Sequence, residues 1–377
     1  MRFRPPSPAQ TRPDPRSSRW TFIDLPLAAL LLAMVLASGC SKDSPTQPSS
    51  TTRPYLGLSA NPDASDPPDS IYSALLTARA TGATLDYLSL RWDEFSPTPG
   101  VYDVTNLRVP LEVVQSLGFD VYVNLATIDT NNDRRPPDIK GLAWDDARVV
   151  ARMDTLVDTL IAIVRPTSAH PRALVALALG NEVDAYFASA HASEFPAFLA
   201  LYRREVGRIH TALPGLKVGI CTISPMGSPN PAFGDQLHGA GDLAIYTYYP
   251  FTPASDFQHQ PPSMLPGDFD LMAARVPGKP YGLQEVGYSS SIGNGSSGTL
   301  QAQFVTRFRQ RVASDSRDRL LFANWFLYSD FSSTLVNQLL GYYGGSSPGF
   351  IAYLSGLGLR DSVGTAKPSW AAWRAGP

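Results

Sequence analysis

Eight short apolar runs, each trailed by polar sequence with helical spacing, limit what this chain can fold into more than any other feature it has. The runs lie at 55–60 (YLGLSA), 84–92 (TLDYLSLRW), 120–129 (DVYVNLATID), 173–182 (ALVALALGNE), 216–225 (LKVGICTISP), 242–251 (DLAIYTYYPF), 279–289 (KPYGLQEVGYS) and 319–330 (RLLFANWFLYSD). Unbroken apolar character, rather than polar–apolar alternation, suits parallel strands covered on both faces. The segments between them carry helical stripes. Val149, Met153, Val157 and Ile161 recur every fourth residue within 145–164. Phe198, Leu201, Val206 and Ile209 share a side within 193–213, with Ser193 placed to cap. Phe304, Phe308 and Val312 stripe 299–312.

Strand and helix alternating eight times from residue 55 onward predict an α/β fold with a single (β/α)8 TIM barrel, a fold of about 250 residues plus insertions. The rival is an open doubly wound sheet. No G-x-G-x-x-G follows the first run and no phosphate-binding loop motif is present, which disfavours it. The sequence GNGSSG at 293–298 has no phosphate-site context and reads as a flexible loop over the pocket mouth. A formal net charge of −2 gives no reason to expect a nucleic-acid or anionic-membrane surface.

The N-terminus has its own pattern. Arg2, Arg4, Arg12, Arg16 and Arg19 precede an apolar stretch, LPLAALLLAMVLASG, that ends at Gly39 before Cys40. Its length is that of a signal segment rather than a membrane span. The run LASGC resembles the lipobox of bacterial lipoproteins, which implies a leader over 1–39 and a lipid on Cys40. The expected partner is then a membrane, reached through that anchor, with a location in the cell envelope. Ser41 resembles outer-membrane sorting. An ordinary signal peptide is the alternative. Residues 40–54, rich in Ser, Pro and Thr, read as a tether, and 55–377 as the folded domain. Cys221, in KVGICTI, is then unpaired and expected in the core.

A barrel of this kind exposes chemistry at the carboxyl ends of its strands. The ends to inspect are Asn61, Arg91, Trp92, Asn124, Asp129, Asn181, Glu182, Tyr246, Tyr248, Glu285 and Trp325. Glu182 closes the fourth run and Glu285 the seventh, strands that face each other across the ring. Two carboxylates flanking one bond are the apparatus of glycoside hydrolysis; a separation of about 5–5.5 Å gives retention and about 6.5–9.5 Å inversion. The histidines His170, His191, His210, His238 and His259 are scattered without metal-ligand spacing, and no cofactor is expected.

GNE closing run four and QEVGY closing run seven resemble the clan A retaining glycoside hydrolases, barrel enzymes that include cellulases, mannanases and galactanases. LSLRW, YTY, ANWFLYSD, the loop WDEFSPTPGVYDVTNL and the ending LGLRDSVGTAKPSW fit the same pattern in order, over about 55–375. The third strand lacks the histidine many members carry, and Tyr246 replaces another. The resemblance implies Glu182 as acid/base and Glu285 as nucleophile. It implies that Tyr248 and the cation of Arg91 keep Glu285 anionic, that Asn181 meets the sugar 2-hydroxyl, and that Trp325 forms the floor under the sugar. Trp92, Asn124 and Tyr246 complete the expected substrate contacts. Tyr186, Phe187, Tyr249, Phe251 and Tyr288 are further strand-end aromatics, and together they favour endo-action on an oligo- or polysaccharide.

Structural readings stand beside these. Glu182 could cap a helix, Arg91 could pair with Asp86 or Asp93, and Tyr248 and Trp325 could be core. A surface glycan-binding lipoprotein without turnover is the second functional reading, and an unrelated barrel chemistry the third.

Overall fold

The computed structural model describes residues 53–60, 68–188, 190–253 and 255–377. The expected leader, Cys40, nearly all of the tether and Asn61 lie outside the described residues.

The apolar runs become parallel strands. They are β1 (Tyr55–Leu58), β2 (Leu85–Arg91), β3 (Asp120–Ala126) and β4 (Ala176–Ala178), then β6 (Ala244–Tyr248), β7 (Tyr281–Val286) and β8 (Leu320–Trp325). The fifth stave, β5, comes in two pieces, Val218–Gly219 and Cys221–Ile223, interrupted at Ile220. Its first piece pairs with β4 and its second with β6. The ladder runs β5–β4–β3–β2–β1–β8–β7–β6–β5, so the sheet closes on itself through the broken stave. This is the (β/α)8 TIM barrel that the alternation predicts.

Helices α1 (Pro68–Ala80), α2 (Thr105–Ser116), α3 (Ala147–Val164), α4 (Phe195–Ala212), α5 (Pro231–Ala240), α6 (Leu265–Ala274) and α7 (Gly298–Ser314) follow successive strands. The predicted stripes face inward: Val149, Met153, Val157, Phe198, Leu201, Phe304 and Phe308 are all buried. Asp146 caps α3 by accepting from the Arg148 amide, and Ser297 caps α7 by accepting from Leu300. Ser193 does not cap. It lies within a 3-10 turn, Ala192–Glu194, that runs straight into α4. After β8 the chain inserts α8 (Ser333–Tyr343) and α9 (Pro348–Leu354) before the closing helix α10 (Pro368–Ala375). The GNGSSG stretch is not a loose loop. Asn294 is fully buried and donates to the carbonyls of Phe257 at 3.0 Å and Gly349 at 2.8 Å, which pins it between the loop at Phe257 and the first turn of α9. No helix among the described residues is long and apolar enough to cross a membrane.

Inside the ring the lower layer is apolar. Tyr87 stacks on Tyr122 at 5.4 Å, and Tyr122 meets Phe322 at 4.5 Å, with Ala176, Ala178, Cys221 and Ile245 filling the rest. Small residues make room for these rings, since a Cβ on Gly282 would lie 2.5 Å from the Phe322 ring. A polar layer sits above. Asn324 donates to Ser59 Oγ at 2.8 Å and to the Gln284 carbonyl at 2.9 Å. Asn124, fully buried and in register with Ser89, belongs to the barrel interior below the mouth.

Gly282→Ala should therefore overpack the barrel against Phe322 and cost about 1–3 kcal/mol, read as a lower urea midpoint with an unchanged slope.

Candidate active site

The mouth of the barrel is built chiefly by three backbone irregularities. The first ends β4. Gly180 takes φ +154°, where a Cβ would lie 2.5 Å from Val183 Cγ2. Asn181 is held by main-chain bonds to the loop after β3: its N–H donates to the Ile128 carbonyl at 2.9 Å, and its carbonyl accepts from Thr130 at 2.9 Å. Glu182 then adopts φ 47°, ψ 41°, the left-handed region that costs a side-chain-bearing residue about 1–2 kcal/mol. That turn sets Glu182 between two hydroxyls. Thr130 Oγ1 donates to Oε2 at 2.7 Å and Thr247 Oγ1 to Oε1 at 2.6 Å. Thr130 itself has φ 55°.

The second irregularity is a bulge in β7. Leu283 pairs with Tyr246, but Glu285, not Gln284, pairs with Thr247, so one extra residue is inserted. Gln284 and Glu285 consequently both project inward. Gln284 Nε2 donates to Asn181 Oδ1 at 2.7 Å and lies 3.4 Å from Glu285 Oε1, while its Oε1 accepts from the Tyr122 hydroxyl at 2.7 Å. Glu285 Oε2 accepts from the Tyr249 hydroxyl at 2.7 Å.

The third is the small hairpin Ile128–Asp129 with Asn132–Asp133. Asp129 is the hub of this side. Its Oδ1 accepts from Asn181 Nδ2 at 2.9 Å, its Oδ2 accepts from the Tyr342 hydroxyl at 2.5 Å, and Arg91 Nε lies 3.6 Å away. Tyr342 comes from α8, so the insertion after β8 reaches across the mouth to the β3 side.

The structure brings together Glu182, Glu285 and Asn181. It places other expected residues elsewhere. Tyr246 and Tyr248 point outward into the helix layer: Tyr248 donates to Asp268 at 2.7 Å, and Tyr246 packs against His238. Strand alternation gives the inward direction to Thr247 and, past the strand end, to Tyr249. Arg91 is not the neighbour of Glu285. It pairs with Glu94 at 3.2 Å and lies over the Tyr342 ring at 4.9 Å, because Glu94 and Asp129 lie nearer on its own side of the mouth. It also leaves the structural partners considered for it: Asp93 pairs with Arg134 at 2.7 Å, and Asp86 is buried on the helix-facing side. Trp325 is fully buried against Phe304, Phe308 and Trp373, while its neighbour Asn324 faces the interior. Trp92 and Asn124 are likewise fully buried. Among residues that sequence reasoning gave no role are Gln284, Thr130, Thr247 and Tyr342. Gln284 adjoins Glu285 and Thr247 lies between the two tyrosines, but only the bulge and the register reveal their direction.

Burial dominates the electrostatics. It pushes the Glu285 carboxyl up to about 8, with the negative charge of Glu182 as the next cause, against the lowering bonds from Tyr249 and Gln284. Burial also raises Glu182, opposed by its two threonine bonds and helped by Asp129. The pair therefore holds a proton near neutral pH. Among the described residues no group of three His, Cys, Asp or Glu side chains is arranged to hold a metal ion.

No known family profile matches the chain. No curated protein matches it either. Solved structures do. The exo-β-1,4-mannosidase Op5Man5 of Opitutaceae bacterium strain TAV5 superposes with a TM-score of 0.64 at 19% identity, over 86% of this chain and 58% of that one. This chain thus spans less than two thirds of that protein's length. A GH5_18 variant from Streptomyces cattleya, in complex with Manβ1-4GlcNAc, gives 0.64 at 16% identity over 85% and 79%. The GH53 catalytic domain of Ignisphaera aggregans gives 0.59 at 15% over 88% and 97%. At these identities the likeness establishes the barrel fold.

The raised Glu285 carboxyl has a sign that can be measured. Its neutral form suits the buried site, so its contribution to stability is complete below its ordinary value of 4.5 and is lost as pH rises through about 8. Glu285→Gln, which stays neutral, should melt above the parent by a few degrees at pH 9, with the gap shrinking toward pH 5. A gap independent of pH in paired calorimetric scans would contradict the burial argument.

Proposed function

We propose that this chain is a retaining glycoside hydrolase of the clan A type, acting on a β-linked glycan. The observation that carries the reading is the pair Glu182 and Glu285, set on opposite staves in one buried mouth and given different partners. Two hydroxyls hold Glu182; a phenol and an amide hold Glu285.

In this reading the one proton the pair holds sits on Glu182 in the reactive form; Glu182 donates it to the leaving oxygen while Glu285, as the anion, attacks the anomeric carbon, forming a glycosyl-enzyme. The Tyr249 hydroxyl and the Gln284 amide stabilise Glu285 as an anion before attack and as a leaving group afterwards. Esterification removes the charge on Glu285, so in the glycosyl-enzyme the two carboxyls no longer share one proton between them. Glu182 then becomes the base that activates water. Asn181 is oriented from both ends, by Asp129 and Gln284, and keeps one amide hydrogen free to meet a sugar hydroxyl.

Endo-action stays part of the proposal and rests on fewer aromatics than expected, among them the half-buried Tyr249 and Phe251. Trp92, Phe187, Tyr288 and Trp325 are core residues rather than subsite platforms. β-Mannosides come first in the substrate panel, since the similar structures are described as an exo-β-1,4-mannosidase and as a complex with Manβ1-4GlcNAc. We also propose that the enzyme is exported and held to a membrane by lipid on Cys40; metabolic palmitate labelling should mark the parent and not Cys40→Ser.

A reducing-sugar assay over a glycan panel, with the first product's anomer read by NMR, tests the proposal. Retention is expected. Glu285→Gln should abolish turnover, and Glu182→Gln should lower it about 10²–10⁴-fold on poor leaving groups and far less on activated ones. Inversion, or full activity in either variant, would sink the assignment. Saccharide binding without turnover in the parent would favour a glycan-binding role.

A further inference from the structure

We propose that Tyr353, on the insertion after β8, is a positioning residue for Glu285: its ring holds the Tyr249 phenol against the carboxyl and so favours the anion that attacks. The inference rests on the glycosidase reading above and adds a control on that same site.

Tyr249 stands past the sheet ladder, which gives the first argument. β6 ends at Tyr248, and the chain then turns at Pro250, with the Phe251 N–H donating to the Tyr249 carbonyl at 2.8 Å. Strand pairing therefore does not fix the phenol, yet its hydroxyl donates to Glu285 Oε2 at 2.7 Å. The surroundings fix it instead. Gly287 leaves the ring room, since a Cβ there would lie 2.5 Å from Tyr249 Cε1. Phe251 lies nearly parallel to the ring at 6.2 Å between centroids, and Phe326 meets it edge-on at 6.1 Å. Tyr353 is closer than either, edge-on at 5.2 Å and 88°.

The second argument is that Tyr353 is itself held. It is buried, and its ring packs on Phe251 at 5.2 Å and on Phe257 at 5.4 Å. Its helix, α9, is tied at both ends. At the start, Asp256 accepts from the Gly349 N–H at 2.8 Å, and Asn294 donates to the Gly349 carbonyl at 2.8 Å. Past the end, the Gly356 carbonyl accepts from Gln301 at 3.0 Å and from Lys367 at 3.2 Å. A ring held this way is a fixed stop for Tyr249, and a donor kept on a buried carboxyl favours its charged form.

The other ionisable groups around Glu285 do not supply this control. Glu182 at the end of β4 and Asp129 on the hairpin both oppose its charge. Phenols face it from Tyr249, from Tyr343 on α8 and from Tyr353, while Tyr87 and Tyr122 lie below with the Cys221 thiol. Burial pushes each of these phenols and the thiol well up, so none of them is charged near neutral pH. The contacts that favour the anion are the bonds from Tyr249 and Gln284, and Tyr353 acts on the first.

The test is a pH profile. In the full chain, Tyr353→Ala should move the acid limb of kcat/KM up by about one pH unit, the size expected when one charge-assisted bond loosens. Tyr249→Phe, which deletes the bond, should move it at least as far, and the double variant no further than Tyr249→Phe alone. Tyr353→Phe keeps the ring and should bring the limb back. Should Tyr353→Ala not fold, Tyr353→Leu takes its place. A loss of activity at every pH with the limb unmoved would mean that Tyr353 serves packing only, and would overturn the proposal. So would a double variant whose shift is the sum of the two. Carbon-13 NMR of the side-chain carboxyls, with Glu285→Gln to assign the signal, titrates Glu285 without substrate. The same upward shift there, in a parent that hydrolyses no glycan, would keep the role of Tyr353 and sink the glycosidase reading. An active parent whose Glu285 titrates alike with and without the Tyr353 ring would do the reverse.

Discussion

A primary amide taken out of water has to find partners for its oxygen and its hydrogens, and Gln284 finds them on three different staves. The Tyr122 hydroxyl on β3 donates to it, Asn181 at the end of β4 accepts from it, and Glu285 on its own β7 lies within reach. Leaving any of these groups unpaired in the barrel would cost on the order of 1–3 kcal/mol. This demand fixes the distance across the ring as firmly as the sheet ladder does. It also requires the bulge, because without the inserted residue Gln284 and Glu285 could not both point inward. The network continues through Asn181 to Asp129 and Tyr342, so β3, β4, β7 and the insertion after β8 share one chain of polar contacts.

Much of the architecture was legible in the sequence because it depends on composition over windows. Eight apolar runs and the spacing of Val149, Met153 and Val157 or Phe304 and Phe308 need no knowledge of register. The two glutamates were legible too, since a carboxylate that ends an apolar run has few places to go. Directions were not legible. A one-residue step turns a side chain from core to mouth, and the step is set by neighbours far along the chain. Tyr249 made the contact to Glu285 expected of Tyr248 for that reason, while Tyr248 turned to Asp268, and Trp325 gave its inward place to Asn324. The partner of Arg91 depended on Asp129, which arrives through a hairpin that periodicity does not announce. The buried Asn294 was invisible for a simpler reason: a glycine-rich string looks mobile unless one knows what its asparagine binds.

Backbone strain gathers where the chemistry is proposed. Glu182 and Thr130 both occupy the left-handed region and are bonded to each other through their side chains. Neither conformation is favoured locally, and the surrounding ladder and hairpin bonds hold both in place. Rigid placement of Glu182 is thus obtained from geometry that a free loop would abandon, and the opposite hydroxyl, Thr247, sits on a regular strand.

The gap at Ile220 leaves the cylinder with a seam. Val218–Gly219 pairs with β4 and Cys221–Ile223 with β6, and single bonds close the break: Cys221 N–H donates to the Gly180 carbonyl at 3.1 Å and Asp242 N–H to the Val218 carbonyl at 2.8 Å. Asp184 is the stitch across that seam: its carboxylate accepts from the Ile223 amide at 2.9 Å and from the Ser228 hydroxyl. Because Asp184 stands two positions beyond Glu182, one short helix, Val183–Phe187, joins the seam to the mouth. A loosening of the cylinder there would then reach the Glu182 carboxyl before it was felt as unfolding.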